Sequence, residues 1–343
     1  MRLLNTPIQI QTLTLQNRLV LPPMATGKSS PDGRATEELC RYYAQQAEEG
    51  AVGLIITEHA YVSPEGKASA GQLSISRDED VEGLQGIAAA VHQYPTRLFA
   101  QISHSGGGAS REITGCEAVA PSAIRFSKPS ATGITFYGDQ EEYPLPHALT
   151  EEEIHTLVQK FAQAARRAKE AGFDGVEIHS AHGYLLNQFY SPLTNHRTDA
   201  YNGQTLSGRI RLHLEILEAV RGVVGPTFPI ALRLGACDYL PGGSTVEDSI
   251  AAAQAFEEAG LDLLDISGGL CSYTRPGHRE PGYFQELTEA IKAKVGLPVI
   301  LTGGITTAAE AEEQIKKGRA DLIGAGRAKL RDSSWARKAL SEE

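Results

Sequence analysis

The stretch Phe173-Asp-Gly-Val-Glu-Ile-His-Ser-Ala-His-Gly-Tyr-Leu185 holds the densest set of reactive side chains in the chain. Its first half, Val176 to Ile178 after Gly172 and Gly175, reads as a buried parallel strand. His179, His182 and Tyr184 follow where that strand gives out, and in α/β proteins the carboxyl ends of strands are where sites are built. His179-x-x-His182 has three readings. It is a hydrogen-bonded core pair, a metal site completed by His59 and His104, or a pair of N–H donors gripping a substrate oxygen. A strand end lacks the fixed i, i+4 geometry that a helix gives metal-binding histidines. Local residues alone do not separate the metal reading from the donor reading.

Other strand ends add to the inventory. The first offers Pro22-Pro-Met-Ala-Thr26, the second Glu58-His-Ala60, and the third Gln101 and His104. The fifth carries Arg233 inside the apolar run Ala231-Leu-Arg-Leu234. A buried guanidinium needs an anionic or oxygen-rich partner. That partner is either Glu177 or Asp265 on neighbouring strands, or an electron-rich ligand in the mouth. Gly303-Gly304 follows the seventh strand and Gly324-Ala-Gly-Arg327 the eighth. Paired glycine turns at these two places form the usual phosphate pocket of an eightfold barrel, with helix N-termini and Arg327 supplying positive charge. Tight turns with no ligand are the plain alternative.

The elements that must position these residues follow from a quasi-repeat. Four times a charged helical stretch ends at Gly and runs into an apolar strand: at Gly50, Gly172, Gly260 and Gly318. Glycine just past a helix takes the left-handed cap, and uniformly apolar strands suit a parallel sheet covered on both faces. Strands are expected near 18–25, 52–58, 96–102, 174–179, 229–235, 262–267, 297–302 and 321–325. Helices are expected near 36–49, 79–93, 151–171, 206–222, 246–259, 283–294, 307–317 and 329–341. Eight alternating units indicate a single-domain (β/α)8 barrel over residues 1–343, within the α/β class. A doubly wound sheet competes, but no G-x-G-x-x-G follows an early strand. About 45 residues separate the third strand from the third helix, roughly ten times an ordinary βα loop. They include Gly106-Gly-Gly108 and Phe136-Tyr137 and are expected to form a lid or wall of the site.

Composition narrows the partners. The formal net charge is -10, with no basic stripe, so neither nucleic acid nor an anionic membrane surface is an expected partner. Cys40, Cys116, Cys237 and Cys271 lie far apart without a C-x-x-C, which suits free thiols in a reducing cytoplasm. The N-terminus lacks a signal peptide's apolar core and no apolar run is long enough to span a bilayer. A homo-oligomer is compatible with all of this.

Taken together, the motifs resemble the old yellow enzyme family, flavin-dependent ene-reductases on a (β/α)8 barrel, and among them the short-chain bacterial branch. The resemblance rests on Asn17-Arg18, Pro23-Met24, Gln101, the block Glu177-Ile-His-Ser-Ala-His-Gly-Tyr-Leu185, and Ser191-Pro-Leu-Thr-Asn-His-Arg-Thr-Asp199. Ala120-Pro-Ser122, Arg233, Gly303-Gly304 and Gly326-Arg327 extend it. It implies FMN in the barrel mouth, with Gly303, Gly304, Gly326 and Arg327 at its phosphate. It also implies Gln101 at the pyrimidine, Arg233 against N1 and O2, and Pro23, Met24, Ala25 and His59 lining the ring. NAD(P)H would reduce the flavin and a small-molecule activated alkene would then take a hydride from it. His179 and His182 would bind the substrate oxygen and Tyr184 would give the proton. No metal is part of this set.

The chain departs from that pattern at Ala25, where relatives have Cys or Thr, and at Gly27, where the bacterial branch often has Tyr. The cysteine cluster and second domain of the iron-sulfur branch are not expected. Two rivals remain on the same barrel. One is a phosphate-substrate isomerase or aldolase, which would want a strand-end Lys or Glu, and no Lys sits there. The other is a flavin-binding protein without turnover.

Overall fold

The computed structural model describes residues 2–48, 51–125 and 144–341. Eight parallel strands close on themselves: β1 (Leu19–Leu21), β2 (Leu54–Ile56), β3 (Arg97–Ser103), β4 (Gly175–Ser180), β5 (Ile230–Gly235), β6 (Leu263–Ser267), β7 (Val299–Thr302) and β8 (Leu322–Gly324). Each pairs with the next, and β8 pairs with β1, so no strand edge is left open. The outer ring comprises α1 (Glu37–Ala47), α2 (Val81–Val91), α3 (Glu151–Glu170), α4 (Leu206–Val224), α5 (Val246–Glu258), α6 (Gln285–Lys292), α7 (Ala308–Lys316), α8 (Arg327–Arg331) and α9 (Trp335–Ser341). All eight expected strands and seven of the eight expected helices appear within a few residues. The exception is the last helix, which breaks at Asp332, whose carboxylate accepts from Ser334 N and Oγ.

Local chemistry explains the boundaries. Thr150 Oγ1 accepts from Glu153 N while Glu153 reaches back to Thr150 N, a capping box that starts α3, and Thr307 with Glu310 does the same for α7. Gly172, Gly260 and Gly318 each take a positive φ of 69–86° just past a helix. Gly50 lies outside the described residues.

The strands are less uniform than their sequences suggest. Outward residues such as Leu98, Ile178, Leu232 and Ile266 pack beneath the helices. Inward residues Val20, Leu54, Ile56, Phe99, Ala231, Leu263, Ile300 and Leu322 fill the barrel, and the hairpin Ile8–Ile10/Leu13–Leu15 plugs its lower end with Ile10 and Leu15. One pleat further along, the inward positions turn polar: Gln101, Glu177, Arg233 and Asp265, all buried. The register sets Gln101 opposite Glu177, and Arg233 opposite both His179 and Asp265. A dry floor thus carries a ring of polar groups at the carboxyl ends, where barrel sites form. Phe136-Tyr137 falls outside the described residues. Among the described residues no helix is long and apolar enough to cross a membrane.

Candidate active site

The polar ring rests on a hydrogen-bonded and ion-paired base. Gln101 Nε2 donates to Glu177 Oε1 at 2.8 Å and lies 3.4 Å from His179 Nδ1. Arg233 Nε lies 3.1 Å from Asp265 Oδ2, so one of the two carboxylates anticipated as its partner is the one it meets. The contact is close but poorly aligned, because neither of those atoms makes a hydrogen bond, and neither does Glu177 Oε2. Burial, and then the charge of Asp265, pushes the Glu177 carboxyl well up. Burial raises Asp265 as well, against the pull of Arg233. A buried guanidinium that rests on one poorly aligned carboxylate is costly unless something electron-rich also meets it.

Above the base sit the two histidines and the tyrosine. The His179 and His182 rings are 5.2 Å apart, edge to face, and Tyr184 lies 4.9 Å from His179. His182 takes φ 61° and Gly183 φ 73°, a left-handed turn that swings the chain off β4 and sets Tyr184 as N-cap of the buried helix Leu185–Tyr190. Ser267 Oγ, at the end of β6, meets His182 Nε2 at 2.7 Å. Burial depresses both imidazoles well below the usual histidine range, helped at His179 by the His182 charge and at both by Arg233. Each ring is therefore neutral near pH 7 and offers one N–H. Burial pushes the Tyr184 phenol up to about 12, so it keeps its proton.

The other strand ends sort themselves. His59 joins the cluster, its Nε2 3.3 Å from Tyr184 Oη. His104 does not. Its Nδ1 accepts from Gly106 N at 3.0 Å and its Nε2 faces Glu65 at 3.9 Å, so it cannot complete a ligand set with the pair. Among the described residues no group of three or more His, Cys, Asp or Glu is arranged to hold a metal ion. Glu58, buried beside His59, accepts from Thr26 N at 2.7 Å and so ties the loop after β1 to the end of β2. Pro23 and Met24 are half-buried and Ala25 is exposed on that loop. The Asn195 to Asp199 motif lies apart from the mouth. Asn195 Nδ2 donates to Phe189 O and Tyr201 O, and Arg197 pairs with Asp199.

The glycine turns make a bare strip on the opposite wall. A Cβ at Gly303 would stand 2.8 Å from the Tyr283 ring, and one at Gly326 2.9 Å from Met24 Sδ. Gly303 and Gly304 both have positive φ, 140° and 71°. Only glycine lets the backbone approach this closely. Arg327 is exposed, with Nη2 donating to Tyr283 Oη at 3.0 Å. Glu58 and Ser267 stand at strand ends that the sequence marks, but without a role there; Tyr283 had no sequence signal, since it acts by meeting Arg327 from another loop. The buried, weakly satisfied Arg233 guanidinium, the Gln101 amide and the glycine strip fit a flat, electron-rich ring with an anionic tail.

Residues 3–342 match the NADH:flavin oxidoreductase / NADH oxidase family. The chain is 40% identical to an NADH oxidase of Thermoanaerobacter brockii over 96% of its own length, and spans 50% of that protein. It is 39% identical to an NADPH dehydrogenase of Bacillus subtilis over 99% of its length and 95% of that protein's. The solved old yellow enzyme homologue from Zymomonas mobilis superposes with a TM-score of 0.84 at 30% identity, over 98% of this chain and 91% of that one. Sequence, barrel and site agree, and the chain belongs to the NADH:flavin oxidoreductase / NADH oxidase family, that of the old yellow enzymes.

Proposed function

We propose that this chain is an FMN-dependent oxidoreductase that reduces the C=C bond of α,β-unsaturated carbonyl compounds with NAD(P)H. The observation that carries the reading is Arg233. It is a buried cation held by one poorly aligned carboxylate, in register with His179 and close to a second neutral imidazole and a phenol. Bound there, FMN would supply the two-electron chemistry that links NAD(P)H to the β-carbon of the alkene.

The chain's own residues do the rest. Arg233 would stabilise negative charge on the bound ring, and Gln101, braced by Glu177, would hydrogen-bond it. Pro23, Met24, Ala25 and the main chain of His59 would line the ring. Backbone amides at Gly303, Gly304 and Gly326, with Arg327, would hold the phosphate. His179 and His182 aim N–H groups at the substrate carbonyl oxygen, where charge develops. Tyr184 gives a proton to the α-carbon. The functional unit is one barrel domain, residues 1–343. The unpaired Cys40, Cys116, Cys237 and Cys271 support a reducing, cytoplasmic setting.

The purified protein is expected to be yellow, with FMN released intact on denaturation, and to oxidise NADPH with cyclohexenone as acceptor. A colourless protein that cannot take up FMN would overturn the assignment. FMN binding without enone turnover would leave a flavin-binding protein, a reading kept in view because Ala25 puts neither thiol nor hydroxyl at its position. Arg327→Ala is expected to weaken FMN retention on the order of tenfold, since a charge-assisted contact to an anion is worth about 1.5–3 kcal/mol and solvent screens part of it. Fluorescence titration of the apoprotein with FMN measures it.

A further inference from the structure

The proposed chemistry uses only the main chain of His59 and leaves its imidazole without a task, yet the fold pins the main chain that carries it. Glu58 N donates to Tyr43 Oη at 2.7 Å on one side, and His59 O accepts from Gln72 Nε2 at 2.8 Å on the other. The ring reaches into the mouth, 5.4 Å from Tyr184 and 6.4 Å from His179 by centroid, and part of its surface stays open. Its Nε2 lies 3.3 Å from Tyr184 Oη. This contact admits two tautomers. If Nε2 is bare, the phenol donates to it and the phenol proton is turned away from the substrate. If Nε2 carries the proton, it donates to Oη and the phenol proton is free.

We propose that His59 is a positioning residue for Tyr184: its Nε2–H donates to Oη, frees the phenol proton for the alkene α-carbon, and holds the phenolate left behind. The inference rests on the ene-reductase reading. In the step concerned, the Tyr184 O–H bond breaks and a C–H bond forms at the α-carbon. The electron pair of the broken bond stays on Oη, and solvent later returns a proton. The two electrons that reduce the alkene come from NAD(P)H.

Charge supports this arrangement. A phenolate made in a buried site loses water's stabilisation, and a hydrogen bond to an ionised acceptor is roughly twice as strong as a neutral one. Burial, and then the Arg233 charge, lowers His59 to about 4, so near neutral pH it is a neutral ring with one N–H to place. The titratable groups facing it are Arg233, His179, His182 and Tyr184. None of these carries a negative charge that would compete with Oη for that N–H while Tyr184 keeps its proton.

The test compares holoenzyme variants by stopped flow, with NADPH as reductant and cyclohexenone as acceptor. His59→Phe keeps a flat ring and removes the donor. His59→Gln restores an N–H near the same place. Relative to cofactor reduction in the same protein, His59→Phe is expected to slow the enone step ten- to a hundredfold, and His59→Gln to recover most of that. Added to Tyr184→Phe, His59→Phe is expected to cost less than a further twofold, because the hydroxyl it serves is gone. Should Phe displace the cofactor, His59→Ala is the second donorless variant, checked by FMN content. The proposal is overturned if His59→Phe matches the wild type, if both half-reactions slow alike, if Gln fails to rescue, or if the two losses multiply in full. If the wild type holds FMN but reduces no enone, the functional reading falls and this inference with it. If the wild type turns over and His59→Phe keeps pace, only the His59 assignment falls.

Discussion

His179→Ala combined with His182→Ala is expected to abolish the long-wavelength charge-transfer band that phenols give when bound as phenolates over the oxidised flavin. The same variant is expected to slow alkene reduction about a thousandfold. Removing one preorganised donor at a developing oxyanion costs about 10²–10³ in rate, and two donors acting as a unit do not add in full. Both rings are buried and neutral, so each offers one N–H with no proton to lose. Gln101 Nε2 stands 3.4 Å from His179 Nδ1 and Ser267 Oγ 2.7 Å from His182 Nε2, so the other nitrogen of each ring is the one left for a substrate oxygen. An N–H pair of this kind stabilises a phenolate in the resting enzyme and an enolate-like oxygen in the reaction. Reduction by NAD(P)H involves no such oxygen and is expected to suffer less. Absorbance titration with p-hydroxybenzaldehyde and stopped-flow traces of both half-reactions measure the three effects. Because His182 sits at φ 61°, where Asn is tolerated better than Ala, His182→Asn separates a strained turn from a lost donor. A persisting band would mean that the oxygen is held elsewhere. Loss of a stoichiometric metal from the double variant would assign the pair to metal binding instead.

The fold was legible because its signals are local. Capping boxes at Thr150 and Thr307, glycines past the helix ends, and apolar strands between them need no knowledge of the partner. Elements that lack such signals were not read. The hairpin Ile8–Ile10/Leu13–Leu15 turns through Gln11 at φ 55°, without the Asn-Gly or Asp-Gly pair that usually marks such a turn. The helix Leu185–Tyr190 is buried on every side and so shows no amphipathic period.

The site divides along the same line. Strand-end positions are countable from the sequence, which is why the inventory of His59, Gln101, His179, His182, Tyr184 and Arg233 could be made. What each of them touches depends on register, and register is a property of the closed barrel. Arg233 beside Asp265 rather than Glu177, His104 turned to Glu65, and His59 turned to Tyr184 are all pairings between separate strands or loops. Of the inward polar positions of β3 to β6 only Arg233 stood out as an interruption of an apolar run, yet the alternation of all four is what sets a polar ring on an apolar floor.

Tyr184→Phe is expected to slow the enone half-reaction by about a hundredfold, the low end for a positioned general acid, while FMN content and phenol binding stay as in the wild type. The argument is one of proton need. As the β-carbon of an enone is reduced, the α-carbon becomes enolate-like and must gain a proton. Burial holds the Tyr184 phenol at about 12, so it arrives protonated across the whole working pH range, and its ring lies 4.9 Å from His179, on the side where the substrate oxygen is to be held. A tyrosine kept only for packing would be expected to cover its hydroxyl with backbone or water. Here the hydroxyl faces His59 at the open mouth. Molecular oxygen accepts electrons without protonating carbon, so reoxidation of the reduced protein by oxygen is expected to proceed at the wild-type rate in Tyr184→Phe. That contrast separates a lost proton donor from a disturbed flavin, which would change both acceptors together. An unchanged enone rate in Tyr184→Phe would assign the proton to solvent. It would also remove the acceptor that the His59 donor is inferred to serve.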